Sequence, residues 1–173
     1  VLKEYSPEIM TEVFTTFPDE DIMSFLGVTA EDLPTEKEHF RKGYTTYRIS
    51  FKSFLFVDKT SQKIIGKGGY HNWYKQHSRA ELGYALKSDE WKGKGYTTEA
   101  LSVIVPYGFE QMGLNRVEAF IGPGNEASQR LVRRWGFTLD GRLREHFCNN
   151  NTIEDSLCFS LLKREYEAVV QSR

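Results

Sequence analysis

Lys92-Gly93-Lys94-Gly95-Tyr96-Thr97 is a segment of this chain well suited to holding an anion. Glycines let the backbone turn so that successive amides face one point. A helix starting just after them adds unpaired N–H groups and a positive dipole end. Lys92 and Lys94 add full charges. The chemistry this suits is the cradling of a pyrophosphate. The alternative is a plain glycine-rich connector with solvated lysines. The segment is not a Walker A loop, and Gly93 and Gly95 have no third glycine in dinucleotide-loop register.

Carboxylates supply the second kind of chemistry. In 138–147 and 152–162, the odd-numbered residues include Leu139, Leu143 and Phe147, and Ile153, Leu157, Phe159 and Leu161. Each strand puts one acid, Glu145 or Asp155, on that otherwise apolar face. A hairpin centred on Asn150 would set Glu145 directly opposite Asp155. Two adjacent half-buried carboxylates raise one pKa, which suits a base near neutrality. The competing expectation is structural: an arginine such as Arg116 or Arg142 neutralises the pair.

The elements that must position these residues follow from pattern. Ser6-Pro7-Glu8 opens a helix that Pro18 stops. Thr35-Glu36-Lys37-Glu38 fits a capping box for a second helix reaching about Thr46. Strands are expected at 51–57, 64–70 and 79–87. In the last, Ala80, Leu82, Tyr84 and Leu86 share one face, and Arg79, Glu81, Gly83 and Ala85 the other. A helix spans 97–112, kinked or loosened at Pro106 and stopped at Gly113. A strand at 116–121 precedes a helix at 125–135, capped by Asn125 and ended by Gly136. Two more strands, at 138–147 and 152–162, and a short closing helix give the order ααβββαβαββα. That is an α/β (α+β) chain, antiparallel early and late, with helical crossovers in the middle.

The composition sets the class. In 173 residues, 39% are hydrophobic and 14% aromatic, enough for a core in one domain, 1–173. The 12 Phe, 9 Tyr and 3 Trp exclude a disordered tail. No run approaches about 18 apolar residues, so no membrane span is expected. Net charge is −1, against broad nucleic-acid binding. The opening Val1-Leu2-Lys3-Glu4-Tyr5 lacks a cleaved-signal pattern. Cys148 and Cys158 form no Cys-x-x-Cys pair. Reduced thiols in the cytoplasm are the expectation, with a single disulfide left open. His39, His71, His77 and His146 show no ligand spacing, so no metal is expected.

In chain order, Ala80-Glu81-Leu82-Gly83-Tyr84, the Lys92–Thr97 loop, and the Asn125-Glu126-Ala127-Ser128 helix with its Gly136-Phe137 end resemble the GNAT acyltransferase superfamily. The branch most resembled is the ribosomal-protein alanine/serine N-terminal acetyltransferases. The resemblance covers about residues 54–166. It implies a mixed, mostly antiparallel sheet of six to seven strands, flanked by helices and splayed at the fourth and fifth strands. It also implies acetyl transfer from acetyl-CoA to an amine. Loop residues Lys92, Gly93, Lys94, Gly95, Tyr96 and Thr97 would hold the phosphates. Lys92 stands where the family has Gln or Arg, and Thr97 where it has Gly or Ala. The backbone near Tyr84, Ala85 and Leu86 would receive the thioester. Asn125, besides capping, would bond the pantetheine arm. Glu81 falls where related enzymes place a base, its alternative being a solvated strand glutamate paired with Lys87 or Arg79. Many members carry a tyrosine acid at the position of Val132, so Ser128, the branch's alternative, would return the proton to the thiolate.

The implied acceptor is a protein N-terminal α-amine. A lysine amine is neutral only about once in 2,500 at pH 7, an α-amine about 10–15% of the time. The alternatives are a small amine (polyamine, amino acid or aminoglycoside) or a non-catalytic acyl-CoA sensor. The sequence leaves a homo-oligomer open.

Overall fold

The computed structural model describes residues 1–43, 50–149 and 151–171. The described elements are β1 (Leu2–Tyr5), α1 (Pro7–Thr16), α2 (Asp19–Leu26), α3 (Leu33–Lys42), β2 (Ser50–Val57), β3 (Ile64–Tyr74), β4 (Arg79–Leu86), α4 (Tyr96–Glu110), β5 (Arg116–Ile121), α5 (Glu126–Arg134), β6 (Thr138–Asn149), β7 (Thr152–Leu162) and α6 (Lys163–Gln171). The strands form one sheet in the order β1-β2-β3-β4-β5-β7-β6. Its described pairings are antiparallel except β4–β5, which is parallel. This is the mixed α/β class expected.

Alternation divides the sheet into two faces. Ala80 and Leu82 of β4, and Val117, Ala119 and Ile121 of β5, are buried in one core with Leu101, Ile104 and Val105 of α4 and Val132 of α5. On the opposite face, α1–α3 build a second core from Met10, Val13, Ile22, Leu26 and Leu33, against which Tyr5 and Phe51 pack. Arg79, Glu81 and Gly83 of β4, and Arg116, Glu118 and Phe120 of β5, lie on that second face. They keep partial exposure there.

Two early elements depart from expectation. β1 is only four residues long, too short for its alternation to register, and it forms by pairing with β2, as in Leu2↔Phe56. Pro18 ends α1 but also opens α2, whose first turn carries Asp19, Glu20 and Asp21 at the positive end of the helix. Thr35 is not a cap. Pro34 suits a first turn, so α3 begins at Leu33. The Asp32 carboxylate instead accepts from the Thr29 amide (3.2 Å) and hydroxyl (2.7 Å). α3 ends at Lys42, with Gly43 at φ +83°. The expected continuation to Thr46 falls outside the described residues. α4 runs on through Pro106.

Tyr70 locks α4 to the sheet. It is fully buried, and its hydroxyl donates to the Ile104 carbonyl at 2.9 Å. Gly108 makes the room, since a Cβ there would lie 2.2 Å from that hydroxyl oxygen. Gly108→Ala should therefore lower stability by about 1–3 kcal/mol. The urea midpoint should fall with an unchanged slope. Combining it with Tyr70→Phe should cost less than the sum of the two single changes.

Candidate active site

β4 and β5 pair only through Arg79↔Arg116, Ala80↔Val117 and Glu81↔Glu118, then part. Lys87 donates its amide to Ile65 of β3 at 2.9 Å. Strand alternation then turns the amides of Tyr84 and Leu86 the other way, into the gap. The backbone expected to face a thioester thus lies beside an opening, past the last described β4–β5 pair.

A cleft of about 650 Å³ continues from this gap. Tyr84, Ala85 and Leu86 line it, with Lys92, Gly93, Gly95, Tyr96 and Thr97 of the loop and Asn125, Ser128, Arg130 and Arg134 of α5. Three separate sequence motifs therefore share one cleft. Gly93 and Gly95 sit at φ +73° and +84°, conformations that favour glycine. Gly95 is the N-cap of α4 and supplies no side-chain cap, so the first-turn amides of α4 stay available to an anion. An added Cβ at either glycine would meet nothing within 4 Å. The space above the loop is open.

The lysines are less committed to the cleft than their charge suggests. Lys92 pairs with Asp89 at 2.6 Å, and this pairing holds the Asp89 carboxyl below its usual range. Lys94 lies over the Trp91 ring at 5.3 Å. Both lysine ammonium groups thus already have partners close by within the same loop. Arg133 turns away from the cleft and stacks on Phe159.

α5 is capped as expected, with Asn125 Oδ1 accepting from the Ser128 amide at 3.1 Å. Val132 is fully buried. The Tyr84 hydroxyl is shut off from solvent and has no hydrogen-bond partner of ordinary geometry among the described residues. Burial pushes its pKa up, and the neighbouring Ser128 side chain opposes that shift. Alternation had placed Tyr84 on the buried face, but nothing in the sequence signals an unpartnered hydroxyl.

Glu81, the last β4 residue paired with β5, lies on the other face and does not line the cleft. His71 Nε2 is 3.0 Å from Glu81 Oε1, and Asn72 Nδ2 donates to Oε2 at 2.8 Å. Neither the Lys87 nor the Arg79 pairing occurs: Lys87 Nζ bonds the Gly27 carbonyl, and Arg79 bonds Glu118 at 2.9 Å. Burial pushes the Glu81 carboxyl up. The His71 hydrogen bond and charge, with Asn72 and His146, outweigh this, so its pKa is lowered.

The Glu145–Asp155 expectation needs correction. β6 pairs Leu143↔Ser156 and Phe147↔Glu154, with a register shift between. Glu145 lies in that bulge at φ +52°. Its amide, not its carboxylate, meets Asp155, donating to Oδ1 at 2.8 Å. Arg142 Nε holds Oδ2 at 2.5 Å. These contacts hold the Asp155 carboxyl below its usual range. The two carboxylates do not face each other, and Arg142 is the neutralising arginine. Both cysteines are free. Among the described residues no helix is long and apolar enough to cross a membrane, and no group of three metal-ligating side chains forms.

Comparison with known proteins agrees with this geometry. Residues 1–138 match the family model of the acetyltransferase (GNAT) domain, and the chain belongs to that family. It is 36% identical to the uncharacterized N-acetyltransferase YoaA of Bacillus subtilis (strain 168) over 165 residues, 94% of this chain and 93% of that one. The protein is an N-acetyltransferase. Among solved structures, a ribosomal-protein-S5-alanine acetyltransferase from Vibrio fischeri is 26% identical with a TM-score of 0.63, covering 79% of this chain and 71% of that one. Mutant forms of the spermidine/spermine N-acetyltransferase SpeG from Vibrio cholerae share the fold, with a TM-score of 0.70 at 17% identity over 100% of both chains. GNAT acetyltransferases use acetyl-CoA, whose pyrophosphate and pantetheine arm suit the open loop and the gap beyond it.

The Glu81 pairing sets a pH dependence. A depressed carboxyl contributes stability that is present above the usual glutamate range and is lost as pH falls through the folded value. His71→Ala should raise the Glu81 pKa in a carboxyl-resolved NMR titration and shrink the acid-side loss of stability. An unmoved titration would mean that His71 does not govern this carboxylate.

Proposed function

We propose that the protein moves an acetyl group from acetyl-CoA to a protein N-terminal α-amine. The observation that carries this is the charge state of the face around Glu81. The described acids nearest Glu81 are paired: Glu81 with His71 and Asn72, Glu118 with Arg79 and Arg116, and Asp140 with Arg116. A polyamine carries several ammonium groups and needs acids left over to receive them. A peptide end brings one amine, already partly neutral at pH 7, and a backbone that needs little charge.

In this reading the amides of α4's first turn and of Gly93 to Gly95 bind the pyrophosphate. The amides of Tyr84 and Leu86 face the thioester oxygen and stabilise its growing charge. Asn125 steadies the pantetheine arm while capping α5. Ser128, acting with the buried Tyr84 hydroxyl, hands a proton to the departing sulfur. Glu81 stands on the amine's side. Glu145, in its bulge, has no place in the chemistry. The runner-up acceptor is a small polyamine, supported by the fold shared with SpeG. Non-catalytic acyl-CoA sensing is not favoured, given the relative named as an N-acetyltransferase.

The direct test follows thiol release with acetyl-CoA and either alanine- or serine-ended peptides or spermidine. A peptide kcat/KM at least roughly tenfold higher, about 1.4 kcal/mol in transition-state binding, is expected. A preference for spermidine would sink the N-terminal assignment. Ser128→Ala should lower kcat by roughly 10²-fold while CoA binding by calorimetry stays intact. An unchanged kcat would remove Ser128 from the mechanism.

A further inference from the structure

The geometry points to His71 as the proton acceptor for the attacking amine, with Glu81 as the carboxylate that orients it. This rests on the acetyl-transfer reading above, and it holds for either kind of amine.

Consecutive strand residues normally face opposite sides of a sheet. His71 and Asn72 nonetheless reach the two oxygens of one carboxylate. They do so because the β3–β4 register slips between His71 and Tyr74, with Asn72 at φ +45°. Asparagine is among the side chains that adopt this conformation most readily, and such bulges re-aim side chains. The ring also needs floor space. A Cβ on Gly83 would lie 2.6 Å from His71 Cε1, so the glycine lets the imidazole lie across β4. The sheet is locally bent, and β4 locally stripped, to hold one histidine beside one glutamate at the point where β4 and β5 part.

The division of labour follows from exposure and pairing. The Glu81 side chain is 18% exposed, both its oxygens are engaged, and its pKa is lowered. It is a poor proton acceptor but a strong partner for an imidazolium. The His71 side chain is 46% exposed. Its Nε2 faces Glu81, which leaves Nδ1 for the substrate, and imidazole changes charge in the range where an α-amine must be deprotonated. Among the described residues, the other charged and titratable groups of this patch include Glu118 opposite Glu81, Arg79 bonded to Glu118, Arg116 bonded to Glu118 and Asp140, and His146, which is held by Ser156 at 3.0 Å and packed on Phe120.

The step balances without a further reactant. The amine nitrogen forms the bond to the acetyl carbon, and the carbon–sulfur bond breaks with its electron pair going to sulfur. Of the two protons the ammonium gives up, one passes through His71 to water. The other is matched by the proton that sulfur acquires. One ammonium and one thioester yield one amide, one thiol and one free proton.

The test compares wild type, His71→Gln, His71→Ala and Glu81→Gln across pH, using whichever of peptide and spermidine wild type acetylates. Both His71 variants should lose roughly 10²-fold or more in kcat and the acid limb of the kcat profile, with CoA affinity by calorimetry unchanged. Glu81→Gln should keep an acid limb but with a lowered kcat, because the ring keeps its own chemistry and loses the carboxylate that orients it. A His71→Ala enzyme within threefold of wild type, or one that keeps the acid limb, overturns the proposal. Wild type preferring spermidine would overturn only the N-terminal assignment, since the His71 comparison runs on that amine. A wild type that binds CoA but acetylates neither amine would overturn both.

Discussion

The early parting of β4 from β5 is the constraint on which the site depends. Two parallel strands that stayed paired would satisfy each other's backbone along their length. These stop after three residue pairs, which leaves polar backbone at the centre of a sheet where it is otherwise consumed. Such groups persist in a fold only where something else meets them, and here that is the cleft. The antiparallel neighbours on both sides make the break tolerable. β3 holds the other edge of β4 along nearly its whole length, and β7 does the same for β5.

This arrangement also separates two chemistries. The face that carries α4 and α5 presents backbone donors and an open loop, and it suits a bulky anion. The opposite face presents His71, Asn72, Glu81 and the Arg79–Glu118–Arg116–Asp140 network. In the proposed reaction, reactants entering from the two faces would meet at the gap. Positions on β4 serve one side or the other by parity, so a one-residue slip in the β3–β4 register would exchange their roles.

Much of this was legible in the sequence. The strand at 116–121 and the Asn125 cap follow directly from alternation and helix-start chemistry, and they match β5 and the observed N-cap. Glycine and lysine spacing marked the loop. β1 and α2 escaped because one is too short to show a period and the other hides behind a proline that serves two helices. His71 escaped for a different reason. Its role depends on a bulge that breaks the two-residue period and on the missing Cβ of Gly83, both of which are pairwise facts invisible to spacing. The Glu145–Asp155 expectation failed the same way: strict alternation assumed a flat hairpin, and a bulge turned Glu145's backbone toward its partner.

The uncapped start of α4 reaches beyond catalysis. A helix end with free amides is a local instability that an anion can relieve, so ligand binding and folding draw on the same groups. If the loop holds the donor as proposed, the folded state of this protein is linked to its donor supply. A ligand at a hundred times its dissociation constant adds about 2.7 kcal/mol to stability, a large share of the margin of an ordinary domain. Where acyl-CoA and CoA run low, the population of intact enzyme would fall along with its turnover. Abundance and activity would then follow a single metabolic variable through one short glycine-rich loop.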